Sequence, residues 1–576
     1  MEKINICISG HVCRDNSSNL YSFWQGFINL QRSLPKVKEV RVFAHSWNPE
    51  FTELIKKVYG SPHIVSEKQP CFIGAYGPLI RPANKFEKGL VRYRSTWARN
   101  SPQQLIGNTT SRSKAIELLS EEKVSDDEWV LATRWDQGCT GSKEVNIVNI
   151  DKALPKNYFY LSYFSEVDEG YADMWFLTNK KLASEFEGYS SFIVDCLAGR
   201  NDYFKSFTCE GWPISLPRKS KPAMVGRLNG YLNKTADIVL NGLVKLSQGT
   251  KLYNKTFGLR GKFIAYKERP IVSGENSILP TEPSNVIFPN YVGLNIHAML
   301  KYFCLSKGLR ESIRFLDIKD FQSEKKGHVI NPVDFCYVIY SHSSFSDCWE
   351  MAIGQAIENL PETCKKIYLV TDKSDVSYQA LDSIEICQSV TPLFYNNDDK
   401  YTKRLSDVFS LIDDKFETIY FVHEDMPLIG KLDEIFLNTM LHYISHSNEF
   451  YIKLVDTSYV DKKENHVSFP NLVKNYGGYS FSIQPSLMKK KEIIEFLSGF
   501  ECDIYALEQT ATECNFVFSA VKGNIKVGKY LTTNVHFPHI ATAISKGKWC
   551  TNEWPKEIDI LQKKYNIDLS DRGTLG

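Results

Sequence analysis

Two acidic side chains follow an apolar run late in the chain, in a position where they could bind a metal ion. Residues 418–422 are β-branched or aromatic throughout, which predicts a buried strand, and His423, Glu424 and Asp425 come directly after it. Open α/β sheets bind ligands at the carboxyl ends of their strands. Carboxylate oxygens there suit an Mg²⁺ or Mn²⁺ ion that bridges two phosphates. We therefore predict Asp425 as a metal ligand and Glu424 as a cofactor-binding residue, with an ordinary polar strand end as the alternative.

Further polar side chains in the same half could complete this site. Glu508 lies early in a helical pattern, where its carboxylate could act as a general base toward an acceptor hydroxyl. His536 could complete the metal site, and a structural histidine is the alternative. The glycine-led stretch 477–486 is typical of a loop that approaches a ligand closely. The other candidates for contacts with the nucleotide or its phosphates are Asp372, Lys546 and Lys548.

A second acidic motif follows the strand that we predict at residues 129–134. Arg134 could bind a phosphate, and Asp136 could hold a ribose or a metal ion. A local ion pair between these two side chains is the alternative. Asp173 lies in an aromatic segment and is predicted to face the sugar or the acceptor, so that Asp136 and Asp173 are the candidate catalytic residues of this half.

The first strand of the chain ends in a candidate phosphate-binding loop. Residues 4–9 form a short apolar run that ends in Ser9 and Gly10, which offer backbone N–H groups at a strand end. Arg14 follows in the same loop and could bind a phosphate in bidentate fashion. Ser9, Gly10, Arg14 and Arg134 are therefore the candidate cofactor-binding residues of the first half.

These candidates require an α/β scaffold that brings them together. Apolar runs alternate with helical patterns in both halves of the chain, which predicts mostly parallel sheets covered on both faces. Each half runs strand, helix, strand, helix, strand and then acid. The fold class is therefore α/β, with two Rossmann-like domains in tandem at residues 1–210 and 331–576 and a helical, basic connecting region at residues 211–330.

Individual elements follow from the same patterns. Asp347 and Glu350 have the spacing of a capping box and predict a helix that continues through residue 360. Further helices are predicted at residues 19–34, 49–59, 111–120, 401–412 and 489–497. Further strands are predicted at residues 40–45, 158–163, 335–340 and 366–371.

The connecting region contains a strongly basic segment. Residues 213–269 hold twelve basic side chains against two acidic ones, a local net charge of +10, with apolar residues interleaved. Such a segment could lie against anionic lipid or bind a lipid-diphosphate acceptor. Solvated helices packed on the first domain are the alternative. Peripheral contact with the inner face of the cytoplasmic membrane is the corresponding prediction.

The composition limits the class of protein. Lysines and arginines total 69 against 67 acidic residues, so the net charge of +2 does not indicate nucleic acid as a partner. The 14 cysteines are scattered without a C-x-x-C pair, which predicts neither a zinc site nor a disulfide framework and favours a reducing cytoplasm. The first residues do not form a signal-peptide pattern, and no apolar stretch is long enough to cross a bilayer.

The motifs of the second half resemble those of bacterial glycosyltransferases of the GT-A fold, the kind encoded in capsule and lipopolysaccharide clusters. In that family an Asp-x-Asp motif ends a central strand and binds the metal of the sugar nucleotide, and His423-Glu424-Asp425 stands in its place here. The resemblance implies Mn²⁺ or Mg²⁺ as the cofactor of the second half. It also places Glu508 where the catalytic base would lie, which implies inversion at the anomeric carbon.

The first half resembles a family of capsular transferases. Its members open with an Ile-Ser-Gly-x-x-Arg loop, carry a Phe-x-His-x-Trp strand and continue with a strand that ends in Arg-Phe-Asp. The corresponding residues here are Ile8-Ser9-Gly10 with Arg14, Phe43-Ala44-His45-Ser46-Trp47, and Arg134-Trp135-Asp136. One extra residue precedes Arg14, and the metal role of this half stays open.

These features predict a bifunctional glycosyltransferase that moves sugars from nucleotide-sugar donors onto a growing capsular polysaccharide or lipopolysaccharide glycan. The expected partners are nucleotide sugars and a glycan or lipid-linked oligosaccharide acceptor. One catalytic domain with a non-catalytic glycan-binding or scaffold domain is the first alternative, and a sugar-phosphate transferase is the second. The donor base, the sugar, the linkage and the oligomeric state do not follow from the sequence.

Overall fold

The computed structural model divides the 576-residue chain into two compact units. The first unit comprises residues 1–17 and 29–328, and the second comprises residues 18–28 and 329–576. The structure describes residues 3–13, 19–76, 102–137, 154–162, 174–197, 296–316, 327–457, 460, 462–477, 480–513, 517–523, 525–527 and 531–575.

The first unit is built on a seven-stranded mixed sheet. Its strand order is β3-β2-β1-β4-β6-β5-β7, in which β1 to β4 are parallel and β6 is antiparallel to both of its neighbours. The strands are β1 (Lys3–Gly10), β2 (Glu39–Ser46), β3 (Ile64–Ser66), β4 (Trp129–Arg134), β5 (Phe159–Ser162), β6 (Phe176–Asn179) and β7 (Ile313–Leu316). Because the central strands β1 and β4 are buried on both faces, they are apolar along most of their length.

Seven helices accompany these strands in the described part of the chain up to residue 316. They are α1 (Tyr21–Ser33), α2 (Thr52–Tyr59), α3 (Phe72–Tyr76), α4 (Pro102–Ser120), α5 (Lys180–Ser184), α6 (Tyr189–Leu197) and α7 (Ile296–Ser306). The N-terminal part of α1 belongs to the second unit, where Trp24 packs edge-on against Tyr443 at 5.7 Å between ring centroids. Phe186 and Phe303 lie in the core of the first unit and pack edge-on with ring centroids 4.9 Å apart.

The second unit is built on a nine-stranded mixed sheet. Its strand order is β10-β9-β8-β11-β16-β12-β17-β15-β14. The strands of this sheet are β8 (Phe335–Tyr340), β9 (Cys364–Asp372), β10 (Thr391–Tyr395), β11 (Thr418–His423), β12 (Tyr451–Lys453), β14 (Lys462–Asn465), β15 (Leu472–Tyr476), β16 (Ser486–Lys489) and β17 (Phe518–Val521). Two small sheets add β13 (Asp456–Thr457), β18 (Ile525–Val527), β19 (Leu531–Thr533), β20 (Ile544–Ser545) and β21 (Lys548–Trp549).

The helices of the second unit follow the strands in the order of the chain. They are α8 (Trp349–Asn359), α9 (Asp375–Ser383), α10 (Tyr401–Ser410), α11 (Glu434–His446), α12 (Lys490–Ser498), α13 (Ile504–Glu513) and α14 (Pro555–Tyr565). Asp433 begins α11, because its side chain accepts a hydrogen bond from the backbone N–H of Phe436. This cap fixes the start of the helix that follows the predicted metal-binding strand.

The two sheets share one strand plan. If the strands of each unit are counted in chain order, leaving out small-sheet β13 and the added strands β14 and β15, both sheets have the order 3-2-1-4-6-5-7. The orientations agree as well, since β16 is antiparallel to β11 and β12 while β17 is parallel to β12, as β7 is to β5. The prediction of two α/β units is confirmed, but both sheets are mixed where mostly parallel sheets were predicted. The agreement in strand order between the two sheets was not predicted.

Several boundaries differ from the sequence predictions. Residues 296–316 form α7 and β7 of the first unit, although they were assigned to the connecting region. The basic segment at 213–269 lies outside the described residues. The predicted capping box at Asp347 is wrong, because Cys348 precedes α8 without a side-chain cap while Asp347 binds Arg572. Among the described residues no helix is long and apolar enough to span a membrane.

Candidate active site at the carboxyl ends of the strands

The carboxyl ends of β8 and β11 lie side by side in the second unit. Tyr340, the last residue of β8, is in register with His423, the last residue of β11. The Nε2 atom of His423 lies 3.0 Å from the hydroxyl of Tyr401. Burial lowers the pKa of His423 to about 4, so this imidazole is neutral near pH 7. His423 therefore fills the strand end with an uncharged ring.

Glu424 and Asp425 follow as two adjacent buried carboxyl groups, with 6% and 8% of their surface exposed. The backbone N–H of Glu424 donates to the carbonyl of Tyr340 at 3.2 Å. Burial raises the pKa of Glu424 well above its ordinary value, and the neighbouring charge of Asp425 raises it further. Burial also raises the pKa of Asp425 to about 7. A nearby cation would lower both pKa values by stabilising the ionised form of each group.

A small hairpin lies against Asp425. The backbone N–H of Ile544 donates to Oδ2 of Asp425 at 3.4 Å, and this residue begins the β20–β21 hairpin. The turn of the hairpin is Lys546-Gly547, and both residues have positive φ, the conformation that a type I′ turn requires. Lys546 and Lys548 are exposed on this hairpin. The structure thus attaches the two predicted phosphate-binding lysines to a segment that contacts Asp425.

Arg572 is a charged neighbour of the motif that the sequence did not indicate. Its guanidinium binds both carboxylate oxygens of Asp347, at 2.6 and 2.5 Å, and donates to the carbonyl of Ser344. It also interacts electrostatically with Glu424, where its positive charge partly offsets the rise in pKa. Arg572 thus fixes the loop after β8 beside the acidic motif. No local motif marks it, because its partner lies 225 residues earlier in the chain.

Glu508 lies in the same unit, on α13. Its Oε1 accepts a hydrogen bond of 2.8 Å from the backbone N–H of Ile483. Burial raises the pKa of Glu508, and the positive charge of Lys453 partly offsets this rise. Burial also raises the pKa of Tyr401 well above its ordinary value, with further contributions from Glu508 and Glu424. The candidate base and the acidic motif therefore both interact electrostatically with one side chain, Tyr401.

Lys453 is a second charged residue that the sequence did not indicate. It ends β12 and is fully buried, with its ammonium group donating to Oγ of Ser482 at 3.2 Å. Burial lowers its pKa to about 8, although Asp456 and Glu508 act in the opposite direction. Ser482 belongs to the glycine-led stretch 477–486. In the structure, the described part of this stretch holds the buried Lys453 and the partly buried Glu508.

His536 is engaged with two side chains of the helix α11 region. Its Nδ1 lies 2.7 Å from Oδ2 of Asp433, and its ring stacks on Phe436 at 4.1 Å between centroids. The nearby His539 is buried and its Nε2 lies 2.6 Å from the hydroxyl of Tyr420. The structure therefore gives His536 the structural contacts that were the alternative to a metal-ligand role.

Asp372 holds the loop after β8. Its carboxylate accepts a hydrogen bond from the backbone N–H of Ser343 at 2.6 Å and another from the Ser343 hydroxyl at 3.0 Å. Although burial alone would raise its pKa, hydrogen bonds from Ser374 and Ser343 lower it to about 2. The hydroxyls of Thr371 and Ser377 also donate to Oδ1. The predicted nucleotide-binding residue thus positions a loop at the edge of the site.

In the first unit, Arg134 and Asp136 bind each other. Nε and Nη2 of Arg134 donate to the two carboxylate oxygens of Asp136 at 2.9 and 2.8 Å. Ser9 is in register with Arg134, as Tyr340 is with His423, so the two acidic motifs occupy equivalent places in their sheets. The local ion pair that the sequence left open is present in the structure.

The loop after β1 is held by contacts within the protein. The backbone N–H of Gly10 donates to Oγ of Ser111 at 2.7 Å, and Gly10 has φ of +110°, a conformation that favours glycine. Oδ1 of Asn48 accepts the backbone N–H groups of Val12 and Cys13 at 3.0 and 3.2 Å. The N–H of Gly10 is therefore used inside the fold.

Ser9 forms a hydrogen bond within the sheet instead of presenting a free hydroxyl group. The hydroxyl of Ser9 donates to the carbonyl of Thr133 at 3.4 Å. Arg14 and Asp173 lie outside the described residues. The hydroxyl of Ser9 is thus used in a hydrogen bond between the central strands β1 and β4.

The donor set of the second unit fits a divalent cation that is shared with a substrate. Among the described residues no three His, Cys, Asp or Glu side chains come together as a complete metal site. Mg²⁺ is commonly held by one or two carboxylates together with substrate phosphates, and Glu424 and Asp425 supply such oxygen ligands. Their burial and mutual repulsion would be relieved by the ion.

No protein-family model matches the chain, and no curated protein matches its sequence. Solved structures match only distantly. A UDP-glucose pyrophosphorylase in complex with UDP-glucose is 12% identical over 33% of this chain and 90% of its own, with a TM-score of 0.23. TarS of S. aureus is 11% identical over 41% of this chain and 40% of its own, with a TM-score of 0.24. A cytidylyltransferase from Leptospira borgpetersenii is 10% identical over 42% of this chain and 100% of its own, also with a TM-score of 0.24.

Proposed function

We propose that the chain is a nucleotide-sugar-dependent glycosyltransferase of GT-A type whose second unit performs the transfer. The observation that carries this proposal is the pair of buried carboxyl groups, Glu424 and Asp425, at the carboxyl end of a central parallel strand. Burying two adjacent ionised carboxylates without a cation would cost free energy of folding. A divalent ion with a nucleoside diphosphate sugar would neutralise them and give the pair a function.

The residues around the pair suit a diphosphate leaving group. Asp425 and Glu424 would hold Mn²⁺ or Mg²⁺, which when bound supplies positive charge for the departing diphosphate. Lys546 and Lys548 are exposed on the hairpin that contacts Asp425, and they would meet the phosphate oxygens. Asp372 and Arg572 would keep the loop after β8 in place while the donor is bound.

Glu508 would act as the general base of the reaction. The acceptor hydroxyl oxygen attacks the anomeric carbon while the Glu508 carboxylate takes its proton. The bond between the anomeric carbon and the diphosphate oxygen breaks, and the diphosphate leaves with the electron pair. Attack from the face opposite the leaving group inverts the configuration. The hydrogen bond from Ile483 fixes the carboxylate in one orientation for this step.

The first unit would work differently from the second. The bidentate contact with Arg134 already neutralises Asp136, so a metal ion would have to displace Arg134 to bind this carboxylate. This contact favours the hypothesis of one catalytic unit and one unit that binds a glycan or serves as a scaffold. A bifunctional enzyme would require the first unit to use its donor without a metal ligand at Asp136.

The proposed function extends to an acceptor and a cellular compartment. A capsular or lipopolysaccharide glycan, or its lipid-linked precursor, would be the acceptor, and the protein would act in the cytoplasm at the inner face of the membrane. Mass spectrometry of the product formed from candidate acceptors would test the acceptor class. Phosphorus NMR of the same product would separate sugar transfer from sugar-phosphate transfer, which leaves a phosphodiester.

Donor binding tests the proposal directly. Calorimetric titration of the full chain with UDP-, GDP- and CMP-sugars, with and without Mn²⁺, should show one donor whose binding requires the ion. Asp425→Asn should remove the Mn²⁺-dependent binding, whereas the matched variant Asp136→Asn should retain it. Metal-independent binding that Asp136→Asn abolishes and Asp425→Asn leaves intact would contradict the assignment to the second unit.

A further inference from the structure

A buried lysine lies next to the candidate base in the second unit. Lys453 has no exposed surface, and it occupies the carboxyl end of β12, two strands from β11 in the sheet. A fully buried lysine is rare unless a partner compensates its charge. Its partners therefore indicate why the fold retains it.

One loop holds the lysine and the base. Oγ of Ser482 accepts the hydrogen bond from the Lys453 ammonium group, and the next residue, Ile483, donates its backbone N–H to Glu508. The carbonyl of Ser482 also accepts the hydroxyl of Tyr451, and the backbone N–H of Leu454 donates to the carbonyl of Pro485. These contacts fix the loop against β12, so that the two charged side chains are held by consecutive residues.

The charged and titratable groups around the two side chains are few among the described residues. Lys453 interacts electrostatically with Asp456 and Glu508, which favour its charged form, and with Lys463, which opposes it. Glu508 also acts on the hydroxyls of Tyr401 and Tyr451, both of which are buried and neutral. Lys463 is itself bound to Asp456 at 2.7 Å. Lys453 is thus a cation that acts on Glu508, the one found in the part of the chain that the structure describes.

We propose that Lys453 is a positioning residue that keeps the Glu508 carboxylate ionised and oriented for proton abstraction. The inference rests on the proposed function for the role of Glu508 as a base. Lys453 is too deeply buried to meet a substrate, so it acts through Glu508. A carboxylate in an apolar interior takes up a proton unless an opposite charge lies nearby, and Lys453 supplies that charge.

The pH profile of transfer tests this role. In Lys453→Met the acidic limb of kcat/KM should move upward by about one pH unit, the effect of removing a nearby opposite charge. Lys453→Arg keeps the charge and should restore the wild-type limb. The matched control is Lys489→Met, which removes the lysine at the end of the neighbouring strand β16, where it donates to the carbonyl of Ser447. An unmoved limb in Lys453→Met, with activity reduced equally at all pH values, would overturn the proposal.

A second variant covers the case in which Lys453→Met does not fold, which thermal melting would reveal. Ser482→Ala removes one acceptor of the ammonium group and leaves the backbone donor to Glu508 in place. It should move the acidic limb in the same direction by a smaller amount. A Ser482→Ala limb identical to that of the wild type would count against the proposal.

A readout without transfer separates this inference from the proposed function. Carbon-13 NMR of the full chain labelled at the glutamate carboxyl, with Glu508→Gln to assign the signal, follows the Glu508 titration itself. A higher midpoint in Lys453→Met supports the coupling even if no donor is ever turned over, in which case only the proposed function fails. An unchanged midpoint overturns the coupling whatever the activity.

Discussion

The carboxyl ends of β4 and β11 are equivalent positions in two sheets with the same strand order, yet their charges are arranged differently. In the first unit, Asp136 is bound by Arg134 two residues earlier. In the second unit a neutral histidine, His423, stands at the strand end where the first unit has Arg134. Glu424 and Asp425 follow it and lie buried next to each other. The difference teaches that one fold can present either a neutralised pair or a cation site at the same strand end.

The comparison also has a shared part. In both units a side chain at or just beyond the end of the second strand holds the loop after the first strand, namely Asn48 in the first and Asp372 in the second. The backbone geometry of the two strand ends is therefore maintained in both units. Their chemistry differs because of the residues that follow β4 and β11.

The largest expected effect comes from the acidic motif of the second unit. Asp425→Asn should lower sugar transfer by about 1,000-fold, because it removes an oxygen ligand of the ion that stabilises the leaving diphosphate. Initial rates with the donor identified by calorimetry would measure this. The matched variant Asp136→Asn should change the rate less than about threefold. Equal losses in the two variants would show that both strand ends take part in the same way.

Loss of the base should have the next largest effect. Glu508→Gln should lower kcat by about 100-fold, within the range of general-base catalysis, while donor binding stays close to that of the wild type. Rates and calorimetric titration on the same preparation would separate these two quantities. Weaker donor binding with an unchanged kcat would assign Glu508 to the donor site instead.

Disruption of the ion pair tests the first unit. Arg134→Met should destabilise the strand end by about 3 kcal/mol, because it removes the bidentate partner of the buried Asp136 carboxylate. The double variant Arg134→Met with Asp136→Asn should recover most of this loss. Hydrogen exchange of the β4 amides would report on this unit alone. A double variant as unstable as Arg134→Met would show that Arg134 contributes through its other contacts.

The smallest effects concern the two loop contacts. Asn48→Ala should expose the amides of Val12 and Cys13 to exchange, at a cost of about 1 kcal/mol for each lost hydrogen bond. Asp372→Ala should do the same at Ser343. The two contacts should differ in their response to acid, because the Asp372 carboxylate has a pKa lowered from 3.8 to about 2.

The lowered pKa of Asp372 determines the direction in which its contribution to stability changes with pH. Ionised Asp372 contributes stability above pH 4, and this contribution is lost as the pH falls toward 2. The amide of Asn48 does not titrate. Exchange at Ser343 should therefore increase between pH 4 and pH 2 relative to exchange at Val12, and a parallel change at both loops would contradict the assignment.

Strands were predictable from the sequence where both faces are buried. The apolar runs at 129–134 and 335–340 correspond to β4 and β8 as Trp129–Arg134 and Phe335–Tyr340. Burial on both faces leaves a continuous apolar signal that local sequence is sufficient to detect. Helix starts were less predictable, since α4 begins at Pro102 rather than at residue 111 and α8 lacks the predicted cap.

The partners of the site residues were not predictable in the same way. Lys453 and Arg572 have no motif, because they meet Ser482 and Asp347 across 29 and 225 residues of sequence. His536 had the right residue type for a metal ligand, and the fold pairs it with Asp433 across 103 residues. Such contacts depend on how strands and loops are arranged, which composition and spacing do not encode.

The sequence by itself determined the alternation of strands and helices in two α/β units and the acids that follow β4 and β11. These features are local, since they depend on periodic burial and on the residue type at a strand end. Only the tertiary structure decided that Asp136 is neutralised by Arg134, whereas Glu424 and Asp425 lie buried next to each other and form no ion pair with any described residue. The physical reason is that burial and neighbouring charge set the state of a carboxylate, and both arise only when distant segments pack together.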